Sequence, residues 1–582
     1  AYPRPPAATG AGSDPAAEPV LVGMEEVGTG LLDQLDAMQR VAASAPGGPL
    51  LVVAGPGTGK TRTLTHRIAY LCAELGVSPD TCLAITFTRR AADELRTRLA
   101  GLLGEAAEGV TVTTFHALGL AILREHPAKA GLPADFRVAE DAERDQLREQ
   151  AGDDPESYRK LLRAAGLVDL DELVTAPVAL LRERPELAEE YRARWPWVFV
   201  DEYQDVDPDQ YALLRLLTRP DGNLCVIGDP DQAIYSFRGA DVGFFLRFAE
   251  DFTDARQVRL ARGYRSTPPI IAAAVQAIAP STLVPGRRLE PARLVPEAPL
   301  LGRYQAASAA DEAAFVARTV DALVGGVSHR SLDQDGGRAA GPRARDAAGE
   351  VSFSDIAVLY RTDAQSGPIM DALTRAGVPV QKRSHNRLRD RTGVPEIAAE
   401  LRLAGPGGGD LRARVRRAGQ ALVDRYHAPV LDPAEQVRVH PTDIWAAVEL
   451  LTPLAERCGD DLPRFLAALA EGQEVDALDP RAEAVTLLTL HAAKGLEFPV
   501  VFLVGVEDGL LPHSFGGKPL SEDALAEERR LFFVGLTRAQ DRLYLSYRGR
   551  PSRFLNVIDA GLFESLGAAP RAKPRHQQPR LL

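Results

Sequence analysis

Residues 50–61, which read LLVVAGPGTGKT, combine a strand pattern, a glycine-rich turn and a Lys–Thr pair that suits phosphate binding. Four apolar residues at the start predict a strand buried on both faces, and the apolar spacing after Thr61 predicts a helix. Backbone N–H groups of such a turn and the positive end of the helix converge on one point, which favours an anion. Lys60 is expected to reach the β- and γ-phosphates of a nucleotide, and the Thr61 hydroxyl is expected to bind Mg²⁺. The predicted cradle consists of Ala54, Gly55, Pro56, Gly57, Thr58, Gly59, Lys60 and Thr61, with Ala54 where the strict pattern has glycine.

Lysine is rare in this chain, which makes the lysine of the phosphate loop informative. Only seven of the 68 lysine and arginine residues are lysine. A compact ammonium suits a crowded phosphate cradle better than a planar guanidinium does. A chemical role for Lys60 is therefore favoured over chance retention.

Two adjacent carboxylates, Asp201 and Glu202, follow the apolar run WVFV at residues 197–200. In a nucleotide hydrolase the first can hold Mg²⁺, directly or through water, and the second can polarise the attacking water. An isolated Asp–Glu pair is more often an acidic strand end that faces solvent. Downstream of a phosphate loop, on a strand of the same predicted sheet, the pair indicates nucleotide hydrolysis.

The elements that must position these groups alternate between buried strands and amphipathic helices. Further strands are predicted at 82–87, 224–227, 485–490, 500–504 and 543–547. Because helical patterns separate them, the chain is predicted to be an α/β protein with parallel sheets and helices on both faces. The early and late groups of strands predict two α/β lobes. Residues 328–349 between them predict a solvated surface loop.

Length, composition and charge restrict the class of protein. The length of 582 residues predicts about two to five domains or subdomains. The sequence has no run of about 18 apolar residues, so no membrane span is predicted. Residues 1–30 are predicted to be disordered and lack the order of a signal peptide. The four cysteines show no C-x-x-C spacing, which disfavours a zinc or disulfide framework and fits a reducing cytoplasm. The net charge of −12 implies that any nucleic acid binds in local grooves.

Eight ordered motifs extend the phosphate loop and the DEYQD segment into a specific pattern. They read AGPGTGKT, ITFTRRAADELRTRL, TFHALGLAILR, VDEYQDVDPDQ, GDPDQAIYSFRGAD, LARGYRS, LHAAKGLEF and EERRLFFVGLTRA. In these motifs, which lie within residues 31–555, the chain resembles the UvrD/Rep/PcrA group of superfamily 1A DNA helicases. The resemblance implies two RecA-like P-loop NTPase lobes with parallel sheets, each with a mainly helical inserted subdomain. It also implies ATP-driven movement in the 3′→5′ direction along single-stranded DNA.

The implied domain boundaries follow the order of the motifs. Lobe 1A spans 31–115 and 195–262 around helical insertion 1B at 116–194, and lobe 2A spans 263–380 and 483–556 around insertion 2B at 381–482. Residues 557–582 are expected to form a C-terminal tail.

By the same resemblance, four residues contact the base and the ribose of ATP. Gln39 offers an amide donor and an acceptor, as adenine recognition requires. Arg62 and Tyr264 are expected to flank the base, and Glu497 is expected to contact a ribose hydroxyl.

Three further residues are expected to respond to the γ-phosphate. Gln232, in the GDPDQ segment, would link the γ-phosphate to the DNA path. Arg265 and Arg538 would reach the γ-phosphate from the far lobe, so that hydrolysis depends on closure of the cleft between the lobes.

Aromatic and hydroxyl-bearing residues of the intervening motifs are the expected DNA contacts. Stacking on aromatic faces tolerates any base, and hydroxyl groups and arginine can hold phosphates without reading sequence. Outside these motifs an aromatic residue more often belongs to a core. The predicted contacts are Phe87, Thr88, Thr114, Phe115, His116, Tyr235, Phe237, Arg238 and His491.

The chain departs from the family pattern in three places. Phe237 replaces the usual tryptophan, and Gly263 replaces the usual asparagine. Insertion 2B lacks its usual opening motif, which predicts a reduced or divergent subdomain. Its basic run at 412–417 fits either a grip on DNA phosphates or a solvated helix face.

These patterns predict an ATP-dependent 3′→5′ DNA helicase or single-stranded DNA translocase that uses ATP and Mg²⁺ in DNA repair or recombination. The expected partners are single-stranded DNA, its junctions with duplex DNA, and repair or recombination proteins, with no membrane. Three alternatives are a translocase or anti-recombinase with little unwinding, the motor subunit of a helicase–nuclease complex, and a catalytically silent scaffold. The intact Lys60, Glu202 and Arg538 argue against the scaffold.

Overall fold

The computed structural model describes residues 30–567 except 140, 153, 326–350, 384–387, 389–390, 406–409, 428–438, 472–481 and 515–518. The predictions for residues 1–29, for the loop at 328–349 and for residues 568–582 therefore lie outside the described residues. No helix within the described ranges is long and apolar enough to cross a membrane.

The strands are short, as expected for parallel sheets covered on both faces. In chain order they are β1 (Leu50–Ala54), β2 (Cys82–Thr86), β3 (Thr111–Thr114), β4 (Arg137–Val138), β5 (Leu167–Val168), β6 (Trp197–Val200), β7 (Asn223–Gly228), β8 (Arg256–Leu260), β9 (Arg262–Gly263), β10 (Glu290–Pro291), β11 (Leu301–Ala306), β12 (Ile356–Tyr360), β13 (Val380–Arg383), β14 (Val485–Thr489), β15 (Phe498–Leu503), β16 (Ala539–Arg548) and β17 (Phe563–Ser565).

Helices fill most of the intervals between these strands. They are α1 (Ala37–Ser44), α2 (Lys60–Ala73), α3 (Arg89–Leu103), α4 (Phe115–Glu125), α5 (Asp141–Ala151), α6 (Pro155–Ala164), α7 (Glu172–Glu183), α8 (Pro185–Arg194), α9 (Pro208–Leu217), α10 (Gly243–Leu246), α11 (Phe248–Asp251), α12 (Pro268–Ile278), α13 (Ala309–Leu323), α14 (Ser366–Arg375), α15 (Val394–Leu403), α16 (Leu411–His427), α17 (Pro441–Cys458), α18 (Leu462–Glu471) and α19 (Glu522–Leu536).

The first lobe contains a parallel sheet in the order β3-β2-β6-β7-β1-β8. Every residue of β1 is buried between β7 and β8. Leu51 and Val53 pack in one hydrophobic cluster, and Leu50 and Val52 pack in a second one. Because successive strand residues point to opposite faces, this interior strand needs the unbroken apolar run that the sequence shows. The phosphate loop follows β1, the DEYQD segment follows β6, and the GDPDQ segment follows β7. The carboxyl ends of these three parallel strands lie at the same edge of the sheet.

The second lobe contains a parallel sheet in the order β13-β14-β12-β15-β16-β11-β17. The two sheets confirm the predicted α/β class. The predicted start of the tail at residue 557 is too early, because Phe563–Ser565 pairs with β11 as an edge strand. Glu564 and Ser565 are exposed, so this strand has no apolar pattern that could reveal it.

Insertion 2B is helical, and its helices α15 to α18 share a core of their own. Ile397, Val415, Leu451 and Phe465 are buried together in it. This core makes the divergent insertion a packed unit.

The range predicted for insertion 1B packs in two parts. Helices α4, α7 and α8 pack on the first sheet, where Phe115, Val178 and Tyr191 share one cluster with Val200. Helices α5 and α6 pack in a small cluster around Leu162 and Leu167, while Val168 of the β4–β5 pair packs with residues of α4 and α7.

Candidate active site

The phosphate loop is a tight turn that requires glycine at two positions. Gly57 and Gly59 have φ values of +70° and +80°, where a side chain is strained. A Cβ at Gly57 would lie 2.6 Å from the Cβ of Arg265, and a Cβ at Gly59 would lie 2.7 Å from Nε2 of Gln39. The loop is therefore packed between a predicted γ-phosphate residue and the predicted adenine residue.

The remaining residues of the predicted cradle form the turn between β1 and α2. Ala54 ends β1, and Lys60 is the first residue of α2. The Thr58 hydroxyl donates to the Gly55 carbonyl at 2.8 Å, which closes the turn around Pro56. The start of α2 thus directs its free N–H groups into the loop.

Both acidic residues after β6 face the phosphate loop. The Thr61 hydroxyl donates to Asp201 Oδ2 at 3.3 Å, and Lys60 Nζ lies 3.9 Å from Glu202 Oε1. Glu202 adopts φ +50°, a conformation that is strained for a non-glycine residue and concentrated at functional sites. Hydroxyl and carboxylate oxygens suit Mg²⁺, so Thr61 and Asp201 fit a magnesium site that phosphates and water would complete.

The electrostatics of the site separate the two carboxylates. Burial, together with the neighbouring Glu202, raises the pKa of Asp201 above its usual range. Burial acts in the same direction on Glu202, but Lys60 and Lys494 outweigh it and lower the pKa of that carboxyl. The Glu202 carboxyl is therefore kept ionised, which is the state in which a carboxylate can polarise water.

The predicted base contacts meet at one end of the loop. Gln39 is buried; its Nε2 donates to the Thr58 carbonyl at 2.9 Å, and its Oε1 accepts from the Asp36 N–H at 3.1 Å. The Tyr264 hydroxyl donates to the Asp36 side chain, while 43% of Tyr264 stays exposed. Burial and Asp36 raise the pKa of Tyr264 to about 12. Arg62 is exposed on the first turn of α2, beside Gly59.

Arg538 brings a buried positive charge from the second lobe to the first. Its guanidinium donates to the carbonyls of Val534 at 2.9 Å and Leu496 at 3.0 Å, and to Gln232 Oε1 at 3.4 Å. Burial and the nearby Arg265 lower the pKa of Arg538 to about 9. Among the described residues its hydrogen-bond acceptors are neutral, and the nearby carboxylates of Glu202 and Glu497 only partly offset the effect of burial on its charge, so the site suits a phosphate.

Arg265 is paired with another predicted site residue. Its Nε forms an ion pair with Glu497, and its Nη1 donates to the Thr537 carbonyl at 3.3 Å. Glu497 also accepts from Gln540 Nε2 at 3.1 Å. The structure therefore brings the predicted ribose contact and a predicted γ-phosphate arginine together above Gly57.

Sequence reasoning missed three residues that complete the site. Lys494 donates to Asp205 and, at 2.7 Å, to the Gln232 carbonyl, so it links the second lobe to two acidic motifs of the first. Burial raises the pKa of Asp205 to about 6, partly offset by Lys494. Gln204 donates to Glu202 and accepts from the Asp229 N–H at 3.0 Å. Because lysine is rare in this chain, Lys494 could have been singled out from the sequence as a candidate site residue.

Four predicted DNA contacts form one cluster at the junction of the lobes. Phe237 is 63% exposed, and the rings of Tyr235 and His491 lie 6.1 and 5.4 Å from it. Arg238 lies 5.5 and 5.6 Å from the centres of the Tyr235 and Phe237 rings. The Tyr235 hydroxyl donates to the His491 carbonyl at 3.4 Å, so the cluster joins the two lobes. An exposed ring beside an arginine suits a base and its phosphate.

The other predicted DNA contacts follow β2 and β3, and one of them is wrong. Phe87 is half-buried, Thr88 is exposed as the N-cap of α3, and Thr114 caps α4 with His116 half-buried beside it. Phe115 is only 1% exposed and packs edge-on against Phe87 at 5.7 Å. Its ring supports Phe87 from the core because α4 turns it inward, so it cannot stack on a base here.

The basic run of insertion 2B does not form a continuous charged face. Arg414 is buried and donates to a carbonyl that follows α15, and Arg412 pairs with Glu456 at 3.1 Å. Arg416 and Arg417 are exposed. Arg414, at the centre of the run, therefore has a structural role.

The arrangement as a whole suits hydrolysis of a nucleoside triphosphate in a cleft. One wall has the phosphate loop, a hydroxyl–carboxylate pair for a metal and an ionised base. The other wall has two arginines and a lysine that contact the first wall. The cluster around Phe237 lies at the same junction of the two lobes.

Comparison with known proteins gives matches over most of the chain. A sequence model described as the UvrD/REP helicase N-terminal domain matches residues 35–156 and 143–253, and a UvrD-like helicase C-terminal domain matches 455–550. The chain is 33% identical to the ATP-dependent DNA helicase UvrD1 of Mycobacterium tuberculosis (strain ATCC 25618 / H37Rv), over 93% of this chain and 87% of the relative. It is 31% identical to the ATP-dependent DNA helicase PcrA of Bacillus subtilis (strain 168), over 96% and 90%. For PcrA of Staphylococcus aureus (strain Mu50 / ATCC 700699) the values are 28%, 94% and 90%.

Proposed function

Because the chain belongs to the UvrD-like family of ATP-dependent DNA helicases, we propose that it moves 3′→5′ along single-stranded DNA and separates strands at duplex junctions. Its ligands are ATP with Mg²⁺, single-stranded DNA and the junction of that strand with a duplex. DNA repair or recombination is the process that such an activity serves, with proteins of that process as partners.

One contact carries this proposal: the hydrogen bond from Arg538 in the second lobe to Gln232 in the first, at 3.4 Å. Gln232 begins the segment that leads to Tyr235 and Phe237. A group that contacts both a far-lobe arginine and the DNA segment can transmit closure of the cleft to the strand.

The residues divide the hydrolytic work. Lys60 and the loop N–H groups hold the β- and γ-phosphates, and Thr61 with Asp201 would hold Mg²⁺, which neutralises phosphate charge. Glu202 orients and polarises the attacking water, because Lys60 and Lys494 keep it ionised.

The second lobe completes the site. Arg538 and Arg265 stabilise the charge that develops on the transferred phosphoryl group. Arg265 leaves or shares its pair with Glu497 when ATP arrives, and Glu497 then accepts from a ribose hydroxyl. Gln39 reads adenine, with Arg62 and Tyr264 on either side of the base.

DNA lies across the tops of both lobes in this proposal. The exposed ring of Phe237 stacks on a base, and Arg238, Thr88 and Thr114 hold phosphates. Opening and closing of the cleft would then advance the strand past these contacts.

The divergent insertion favours a second candidate, a translocase that unwinds little. Insertion 2B has its own helical core, and its α18 contacts the first lobe through Arg464 and Asp93 at 3.4 Å. Such a protein would hydrolyse ATP on single strands yet displace a duplex strand slowly.

Single-stranded DNA should stimulate ATP turnover, and Phe237→Ala should weaken that stimulation. Loss of one stacking ring is expected to raise the DNA concentration for half-maximal turnover about tenfold. Steady-state ATP hydrolysis, titrated with an oligonucleotide of mixed sequence, measures it. Phe237→Trp should restore wild-type affinity, because it retains the aromatic face.

A matched control is Leu75→Ala, since Leu75 is also an exposed apolar residue but follows the far end of α2. It should titrate like the wild type. DNA-independent turnover in the wild type would reject the proposed motor, and an unshifted midpoint in Phe237→Ala would reject the stacking site.

A further inference from the structure

Residues 282–293, here called the cleft strap, pass over the nucleotide site after helix α12 and were not assigned a role from sequence. The Thr282 hydroxyl and the Leu283 N–H both donate to the Asp231 carboxylate. At the other end, Glu290 donates its N–H to the Ala261 carbonyl at 2.8 Å, and β10 pairs with β9. The strap is therefore anchored to the GDPDQ motif and to the segment that leads into Tyr264.

Arg287, in the middle of the strap, forms ion pairs with both aspartates of the GDPDQ motif, Asp229 and Asp231. Its Nη1 lies 2.7 Å from Asp229 Oδ1 and 2.7 Å from Asp231 Oδ2, and its Nη2 lies 2.6 Å from Asp229 Oδ2. The Arg287 side chain is 6% exposed, and both aspartate side chains are fully buried. The fork geometry of a guanidinium therefore fixes the Asp229 carboxylate in position and orientation.

Asp229 passes this orientation on to the residue that joins the lobes. Its Oδ2 accepts from Gln232 Nε2 at 2.7 Å, which turns Gln232 Oε1 towards Arg538. An amide has one acceptor end and one donor end, so holding the Nε2 end determines where Oε1 points.

The strap also contacts the phosphate loop and helix α19. A Cβ at Gly55 would lie 2.5 Å from Leu289 Cδ2 and 3.1 Å from Arg287 Nη2, so the strap lies directly against the loop at this glycine. On its other side the Arg287 guanidinium lies 5.0 Å from the centre of the Phe533 ring in α19. Arg287 thus contacts both lobes.

We propose that Arg287 is a positioning residue for ATP hydrolysis: through Asp229 it orients the Gln232 amide, so that Gln232 meets Arg538 and the γ-phosphate in the closed cleft. This role deepens the proposed function and rests on it. In this proposal Arg287 acts on hydrolysis through Asp229 and Gln232.

A simple structural ion pair is the competing explanation, because removing one partner of a buried pair is destabilising wherever it lies. The two explanations differ in how Arg287 and Gln232 combine. A positioning residue loses its effect once Gln232 is gone, whereas independent structural damage multiplies with any other defect.

The test is a double-mutant cycle with Arg287→Lys, Gln232→Ala and the combination, read as kcat and KM for ATP with and without single-stranded DNA. Lysine keeps the buried charge but loses the fork, so kcat should fall about tenfold with KM for ATP changed less than about twofold. The combined variant should match Gln232→Ala within about twofold. The neighbouring Arg288→Lys, on an exposed side chain, is the matched control and should leave both constants unchanged.

Multiplication of the two effects in the combined variant, or wild-type kcat in Arg287→Lys, would overturn the proposal. If Arg287→Lys melts well below the wild type, Arg287→Met with Asp231→Asn replaces it in the cycle, since that pair of changes keeps the net charge of the cluster. Failure of DNA to stimulate the wild type would reject the motor instead, and the cycle could still be read on turnover without DNA.

Discussion

Arg538→Ala should retain ATP binding but hydrolyse ATP about 10³-fold more slowly, as expected for loss of an arginine that stabilises transition-state charge. The side chain is buried, and its described acceptors are all neutral groups. No carboxylate accepts a hydrogen bond from it among the described residues, so the buried guanidinium can act on a phosphate, and a fixed cation acts most strongly in such a buried site. Single-turnover hydrolysis and binding of a fluorescent ATP analogue separate the two effects.

Two further variants sharpen this test. Arg538→Lys should also be slow, because one ammonium cannot reach Val534, Leu496 and Gln232 at once. Arg219→Ala removes an exposed arginine that pairs with Glu189 near the opposite end of the first sheet, and it should behave as wild type. Unchanged turnover in a folded Arg538→Ala protein would remove this residue from the mechanism.

Lys60→Ala should reduce ATP turnover to about one-thousandth of the wild-type value and weaken nucleotide binding as well. Lys60 begins α2 at the phosphate loop and lies 3.9 Å from Glu202. Its charge helps to lower the pKa of Glu202, so its removal affects both the phosphates and the base. Steady-state hydrolysis and isothermal titration with ATP measure the two losses.

Lys160→Ala is the matched control, because the chain has few lysines and this one is 74% exposed in a pair with Glu156. An exposed pair of this kind contributes little to stability, so the variant should be indistinguishable from wild type. Substantial hydrolysis by Lys60→Ala would mean that the phosphate loop is not the catalytic nucleotide site.

The central strands and the residues that follow them could be predicted from sequence, because the physics there is local. The apolar run Leu50–Val53 has to be buried on both faces, and a glycine turn followed by Lys60 has few other uses. Asp201 and Glu202 could likewise be predicted, because they directly follow the apolar run of β6. These signals do not depend on contacts from distant parts of the chain.

What could not be predicted depends on long-range packing. Phe115 belongs to the same motif as Thr114, and nothing in its spacing shows that α4 turns the ring into the core. Arg287 is one of 61 arginines, and its role requires three segments far apart in sequence to meet. In the sequence, Arg414 likewise belongs to a basic run. In the structure its guanidinium donates a hydrogen bond to a carbonyl that follows α15.

We propose above all that ATP hydrolysis in the cleft drives the chain 3′→5′ along a single strand into a duplex. The decisive experiment is strand displacement by the wild-type protein, compared on duplexes with a 3′ or a 5′ single-stranded tail, with Lys60→Ala as the inactive control. We expect ATP-dependent displacement from the 3′-tailed duplex and little from the 5′-tailed one. Faster displacement from the 5′-tailed duplex would show that the proposed direction is wrong.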